Sequence, residues 1–87
     1  MDIAYTPAFV RRYKKLPRAL KDEVKECIKL FCDPTHHESL RVHKLNGELK
    51  KFYSFSVNYK YRIIFEYSVD RTSAWFHDID DHEVYER

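Results

Sequence analysis

Two amphipathic helices are predicted in the first part of the chain. Thr6 followed by Pro7 is typical of a helix start, because threonine caps free backbone N–H groups and proline fits the first helical position. Apolar residues then recur at helical spacing, and Pro17 separates this first helix from a second one. The second helix has its own apolar stripe and ends before Pro34. A helical hairpin over residues 7–32 with one shared apolar side is therefore expected.

The pattern then changes to the alternation of apolar and polar positions that is typical of strands. Three strands, Leu49–Val57, Tyr61–Ser68 and Ser73–Ile79, are separated by short turns, which predicts an antiparallel meander. A short apolar alternation over Asp2–Tyr5 adds an edge strand. The prediction is an α+β fold in which a helical hairpin packs on a twisted antiparallel sheet. Its element order is β-α-α-β-β-β, with a short polar C-terminal tail.

The middle strand of this meander predicts two different sheet faces. Side chains alternate between faces along a strand, so one face, expected to meet the helices, consists of Tyr61, Ile63, Phe65 and Tyr67. Arg62 lies on the other face with Ile64 and Glu66. No predicted element covers that second face, so Arg62 is expected on an open surface. An ion pair with Glu66 is the alternative, purely structural explanation for this arginine.

Composition favours one small domain. A chain of 87 residues with 44% hydrophobic and 16% aromatic residues can form a single core, so one domain over residues 1–87 is expected. The single glycine argues against a glycine-rich phosphate loop. No apolar run reaches membrane-spanning length, Met1 begins no signal peptide, and Cys27 and Cys32 are not placed to form a disulfide. A soluble, cytoplasmic protein without a membrane partner is expected.

The distribution of charge is more informative than its sum. The net charge is +2 and the pI near 8.5, below the pI of about 9 that marks nucleic-acid-binding domains by bulk charge. Most lysines and arginines nevertheless lie in residues 1–62, whereas the last ten residues are mostly acidic. Lys44, Lys50 and Lys51 precede the aromatic strand and are candidates for contacts with an anionic partner. An ordinary solvated basic surface is the alternative.

The ordered motifs of the second half resemble one family of bacterial toxins. The run HKLNGELKKFYSFSVNYKYRIIFEY contains a Leu-x-Gly element, an aromatic-rich strand, a turn, and Tyr-Arg followed by three apolar residues. The tail DIDDHEVYER is similar to a closing Asp-Ile-Gly-x-His-x-Glu-Val-Tyr pattern. Both are features of the RelE/ParE superfamily, the toxins of type II toxin–antitoxin systems. The resemblance implies a helical hairpin on a twisted antiparallel sheet.

The resemblance also implies a function and a set of catalytic residues. Many members, those of the RelE, YafQ and HigB branch, are ribosome-dependent endoribonucleases, so the resemblance implies cleavage of messenger RNA without a metal or cofactor. Arg62 aligns with the strand arginine that contacts the scissile phosphate, a role that suits the preorganised donors of a guanidinium. His82 and His43 match histidines that could transfer protons near neutral pH. Tyr85 matches a C-terminal tyrosine that could stack on a base or assist proton transfer.

Some positions depart from the family pattern. Ser54 and Ser56 occupy positions where RelE has two lysines and YafQ a histidine, although HigB-type nucleases also carry Ser-x-Ser there. An arginine that precedes Glu-Val-Tyr in RelE is replaced by acidic residues, and the interval from His82 to Tyr85 is one residue shorter. Purely structural roles stay open for three candidates. His82 could cap the tail, Tyr85 could tether it to the sheet, and His43 could be an ordinary solvent-facing strand residue. His77 is expected to share a strand face with Trp75 and Ile79 and to be a packed, hydrogen-bonded histidine.

The implied partners are a cognate antitoxin, whose disordered segment folds on the toxin, and messenger RNA on the ribosome, including ribosomal RNA. Operator DNA is expected only through the antitoxin complex. Two alternatives stay open. A ParE-like protein would inhibit DNA gyrase without catalytic residues, and a catalytically weakened member would act through antitoxin binding and autoregulation.

Overall fold

The computed structural model describes residues 1–47 and 51–81, and in them two helices cover one face of a five-stranded sheet. In chain order the elements are β1 (Asp2–Tyr5), α1 (Pro7–Lys14), α2 (Arg18–Phe31), a 3-10 turn (Pro34–His36), β2 (His43–Lys44), β3 (Tyr53–Ser56), β4 (Tyr61–Tyr67) and β5 (Ser73–Asp81). The strand order across the sheet is β1-β5-β4-β3-β2. The predicted α+β architecture is confirmed.

Local signals position the helices as expected. The Thr6 hydroxyl accepts a hydrogen bond from the Phe9 N–H at 3.1 Å and donates one to the His77 carbonyl at 3.2 Å. The cap therefore begins α1 and also ties it to β5. Pro17 precedes α2, as the break in the apolar pattern predicts. None of the helices in the described part of the chain is long and apolar enough to cross a membrane.

Strand pairing differs from the prediction in two respects. β1 pairs with β5 in parallel, so the sheet is mixed, whereas β3, β4 and β5 form the predicted antiparallel meander. The chain also has an extra strand, β2, which pairs antiparallel with β3. A two-residue strand is too short to show an alternation, and alternation does not encode strand direction. The predicted strand Leu49–Val57 corresponds to β3, which is described from Tyr53 to Ser56.

Aromatic rings form the core between the helices and the sheet. The Phe31 ring of α2 lies 4.8 Å from the rings of both Phe55 and Phe65 and 5.5 Å from Phe76, measured between centroids. These rings and Ile63 are fully buried, which confirms that the predicted aromatic face meets the helices. We call it the helix face. The opposite side, the outer face, carries Ser54, Ser56, Arg62, Ile64, Glu66 and Trp75.

A one-residue bulge in β5 sets the register of the site described below. Phe65 pairs with Phe76 but Ile64 pairs with Asp78, so His77 is the extra residue. His77 was expected to share a face with Trp75 and Ile79, and for Ile79 this expectation is wrong. The bulge turns Ile79 into the core, where it is buried opposite Ile63. The next residue, Asp80, consequently reaches the outer face.

Candidate functional site

Arg62 is held in a buried ion pair. Its Nε–H donates to Asp80 Oδ1 at 3.2 Å, and the two side chains are only 11% and 3% exposed. The expectation of an open Arg62 is therefore wrong, because the bulge places Asp80 directly opposite it. The alternative pairing with Glu66 is wrong as well. Glu66 instead accepts a hydrogen bond from His77 Nε2 at 3.2 Å.

Asp80 has an unusual electrostatic environment. Burial raises the pKa of its carboxyl group from 3.8 to about 6, although the Arg62 guanidinium acts in the opposite direction. Asp78 raises this pKa further, and Arg12 lowers it. Asp80 Oδ2 is buried without a hydrogen-bond partner among the described residues. The charge that Asp80 presents to Arg62 therefore changes between mildly acidic and neutral pH.

His43 presents a defined nitrogen to solvent and to Ser54. Its Nδ1 lies 2.8 Å from the Arg41 carbonyl oxygen, and a carbonyl can only accept, so Nδ1 carries the hydrogen. In the neutral ring, Nε2 then has the lone pair, and it lies 3.4 Å from the buried Ser54 hydroxyl. His43 is exposed, as a proton-transfer group that must meet a substrate has to be.

A short helical turn before β2 positions the carbonyl that orients His43. The Val42 N–H donates to the His37 carbonyl and the Arg41 N–H to the Glu38 carbonyl, both at 3.0 Å. This pair of bonds is the Schellman arrangement that ends helices, and Arg41 occupies its left-handed position with a φ of 58°. Glycine usually marks that position in a sequence. Arginine gives no such signal, so the turn could not be foreseen.

The strand register brings His43 and Arg62 onto the same region of the outer face. His43 is opposite Ser54 and Arg62 is opposite Ser56, on neighbouring rows of β3. With strands about 4.8 Å apart and a rise of about 3.3 Å per residue, their Cα atoms lie roughly 12 Å apart. Two long side chains can contact one bound phosphodiester across such a distance.

The other predicted site residues fall into two groups. Lys44, beside His43 on β2, and Lys51 are both exposed. Lys51 Nζ also lies 5.1 Å from the centre of the Phe52 ring. The remaining candidates, Lys50, His82 and Tyr85, lie outside the described residues.

Sequence reasoning missed Asp80 as the partner of Arg62 and Arg41 as the residue that orients His43. It also noted Ser54 only as a missing basic group, whereas the structure places its hydroxyl at His43. Within the described ranges, no group of three or more His, Cys, Asp or Glu side chains is placed to hold a metal ion.

Solved structures with this fold come from several organisms. YafQ from E. coli is 16% identical with a TM-score of 0.77, over 97% of this chain and 96% of that chain. The toxin–antitoxin complex RelBE2 from Mycobacterium tuberculosis is 21% identical with a TM-score of 0.70, over 93% and 96% of the two chains. The RelE–RelB complex from Pyrococcus horikoshii is 19% identical with a TM-score of 0.71, over 92% of each. At these identities the likeness establishes the fold alone.

Sequence comparison identifies the family. No curated protein sequence matches the chain. A family model described as "RelE-like toxin of type II toxin-antitoxin system HigB" matches residues 11–82, which is most of the chain and includes the second half of α1, all of α2 and all strands except β1. The chain belongs to the HigB-like family of RelE-like toxins of type II toxin–antitoxin systems.

Proposed function

We propose that this toxin is a ribosome-dependent endoribonuclease that cleaves messenger RNA and thereby inhibits translation. The observation that carries the proposal is the orientation of His43. Its Nδ1–H donates to a backbone carbonyl, and its Nε2 lies on the sheet face that also carries Arg62. A histidine with one nitrogen anchored and the other available is suited to proton transfer.

In the proposed reaction, His43 Nε2 takes the proton from a ribose 2′-hydroxyl. The 2′-oxygen then bonds to the adjacent phosphorus, and the bond from phosphorus to the 5′-oxygen breaks. A proton donor returns a proton to that 5′-oxygen, leaving a 2′,3′-cyclic phosphate and a free 5′-hydroxyl. His82, with Tyr85, is the proposed donor from the tail.

Arg62 is the proposed cation for the negative charge that develops on the phosphate. Fixed hydrogen-bond donors aimed at developing charge supply a large part of many catalytic effects. Arg62 is held by Asp80 in the free toxin, so an incoming phosphate must compete with that carboxylate. Asp80 has a pKa of about 6, and its protonation weakens its attraction for Arg62. A phosphate therefore displaces Asp80 from Arg62 more readily at mildly acidic pH.

Lys44, Lys50 and Lys51 are proposed to contact phosphates of messenger or ribosomal RNA, which would make binding weaker at high salt. A cognate antitoxin is the proposed neutralising partner, in keeping with the relatives solved as RelBE2 and RelE–RelB complexes. Operator DNA would be bound only through that complex. Because the proposed substrate is on the ribosome, the proposed place of action is the cytoplasm.

The test is induction of the toxin without antitoxin, followed by mapping of messenger RNA 5′ ends. The wild type should produce cuts at defined codon positions, and His43→Ala should reduce their frequency by roughly 100-fold or more. His36→Ala is the matched control, because His36 is another partly exposed histidine and pairs with Asp33 at the 3-10 turn rather than belonging to a strand of the sheet. The control should cleave like the wild type.

The same cultures distinguish the alternatives. Growth arrest with DNA damage and a supercoiling defect, unchanged in His43→Ala, would indicate a gyrase inhibitor instead. The buried Arg62–Asp80 pair favours a second candidate, a catalytically weakened member that acts by binding its antitoxin. Normal growth and intact messenger RNA on full expression of the wild type would support that candidate and contradict the nuclease.

A further inference from the structure

Trp75 is the most conspicuous unexplained side chain on the outer face. It lies in β5 between Ala4 of β1 and Glu66 of β4, with strands on both sides, and it is 46% exposed. Tryptophan is usually well buried, since its ring is among the largest apolar surfaces that a protein has. Its neighbours Ala74 and Phe76 point into the core, so alternation directs the Trp75 ring outward.

The surroundings of Trp75 combine flat rings with polar groups. Glu66, directly opposite Trp75, accepts the hydrogen bond from His77. The His77 ring in turn meets Phe52 edge-on, with centroids 5.1 Å apart and an interplanar angle of 78°. Lys51 lies over Phe52 at the end of this row. Trp75, His77 and Phe52, with Glu66 and Lys51, are called the ring row below.

From these contacts we infer that the ring row is a binding subsite for single-stranded RNA, in which a nucleobase stacks on Trp75 and its exocyclic amino group donates to Glu66. Bases stack readily on exposed aromatic side chains of a sheet, and a carboxylate accepts well from the cytosine amino group. His77 occupies one carboxylate oxygen, Oε1, and fixes the orientation of the other. Lys51 supplies a cation for a neighbouring phosphate.

The ring row lies on the same sheet face as the proposed cleavage site, and the inference rests on that proposed function for its substrate. Arg62 and Glu66 are four residues apart on β4, so the two regions are separated by about 13 Å along the strand. A short stretch of extended RNA can bridge this distance. An apolar protein segment would cover Trp75 equally well, but it would gain nothing from the oriented carboxylate or from the lysine. These polar groups favour RNA.

Trp75 is the only tryptophan in the chain, so its fluorescence reports on the subsite directly. The probes are short single-stranded oligo(C) and oligo(U), added to purified toxin at low salt and pH 7.5. Oligo(C) should quench the emission and bind about fivefold or more tightly than oligo(U), because uracil carries an oxygen where cytosine carries the amino group. Glu66→Gln should reduce this preference to near one, since glutamine both donates and accepts.

Variants of Trp75 test the stacking, with affinity measured by anisotropy of labelled oligo(C). Trp75→Ala should weaken binding roughly tenfold, whereas Trp75→Phe should retain most of the affinity. Tyr59→Ala is the matched control, because Tyr59 is an aromatic residue that is 94% exposed on the β3–β4 turn. Circular dichroism and thermal melting of each variant establish that it is folded.

Messenger RNA cleavage by the same proteins separates this inference from the proposed function. If the wild type cleaves but no RNA quenches Trp75, or if Trp75→Ala binds like the wild type, the inference is overturned and the nuclease stands. Quenching by oligo(C) without any cleavage supports the subsite and contradicts the nuclease. Quenching by the antitoxin but by neither RNA would assign the ring row to a protein interface and would also overturn the inference.

Discussion

The two faces of the sheet are built from alternate residues of the same strands, yet different interactions stabilise them. On the helix face, Phe31, Phe55 and Phe65 form a closed cluster of rings that depends on apolar burial. On the outer face, Arg62 and Asp80 are almost as inaccessible but depend on each other's charge. The helix face is therefore expected to determine whether the chain folds, whereas the outer face determines how it responds to pH and to an anionic ligand.

The largest expected effect is on the helix face. Phe31→Ala should lower the free energy of unfolding by about 4 kcal/mol, because it removes a fully buried ring and leaves a cavity among its aromatic neighbours. Chemical denaturation measures this change. Leu30→Ala, one residue earlier in the same helix and 39% exposed, should cost less than about 1 kcal/mol. Similar losses for the two variants would contradict the central place of Phe31 in the core.

The second effect is expected from breaking the ion pair of the outer face. Arg62→Gln should lower the free energy of unfolding at pH 8 by about 3 kcal/mol, because it leaves the Asp80 carboxylate buried without this cation. Adding Asp80→Asn to that variant should restore more than half of the loss, since an amide tolerates burial better than an unpaired charge. Denaturation of both single variants and the double variant measures the coupling. Strictly additive effects would show that the pair is not coupled.

The Arg62–Asp80 pair also affects how cleavage by Arg62 variants is interpreted. A single Arg62 substitution combines a lost phosphate contact with a less stable protein. The Arg62→Gln/Asp80→Asn double variant removes the cation with less structural damage. It is therefore the better variant for testing the role of Arg62 in RNA cleavage.

The smallest effect is a dependence of stability on pH. The pKa of Asp80 is raised in the folded state, so the native protein binds a proton more readily than the unfolded chain. The stability contributed by this proton is complete below about pH 4 and is lost as the pH rises through about 6. As the pH rises from about 4 to about 6, the free energy of unfolding of the wild type should fall by on the order of 2 kcal/mol relative to that of Asp80→Asn.

Thermal or chemical unfolding at pH 4.5 and pH 7.5 measures this difference. Asp70→Asn is the matched control, because hydrogen bonds from Thr72 and Ser68 lower the pKa of Asp70 below 3.8. The Asp70 carboxylate is ionised throughout this pH range, so the difference in free energy of unfolding between Asp70→Asn and the wild type should stay constant. Parallel pH profiles for the wild type and Asp80→Asn would contradict the placement of Asp80 in a desolvated site.

Much of the fold could be predicted because its determinants are local. Thr6 and Pro7 begin the first helix, and the alternation around Ile63 and Phe65 assigns the strand face that meets the helices. The parallel pairing of β1 with β5 could not be predicted, since the partners are about 70 residues apart and either strand direction satisfies the alternation. β2 was missed because two residues establish no period.

The candidate site was predicted less well than the fold. Arg62 and His43 were found by resemblance, but their surroundings were not. Arg62 was expected in the open and is buried beside Asp80, and His43 depends on a turn at Arg41 that lacks the usual glycine. The proposed roles of His82 and Tyr85 remain predictions, because those residues lie outside the part of the chain that the structure describes.

The sequence by itself determined the helical hairpin, the three-strand meander, and the face of the middle strand that carries Ile63 and Phe65 into the core. Only the tertiary structure decided that Arg62 meets Asp80 and that Trp75 stands opposite Glu66. For the pairing of Arg62 with Asp80, the physical reason is the single extra residue at His77. Side chains alternate with a period of two, so a one-residue bulge moves every later side chain of β5 to the other face. Hydrophobic pattern is a property of one segment, whereas register and ionic partners exist only once distant segments have paired.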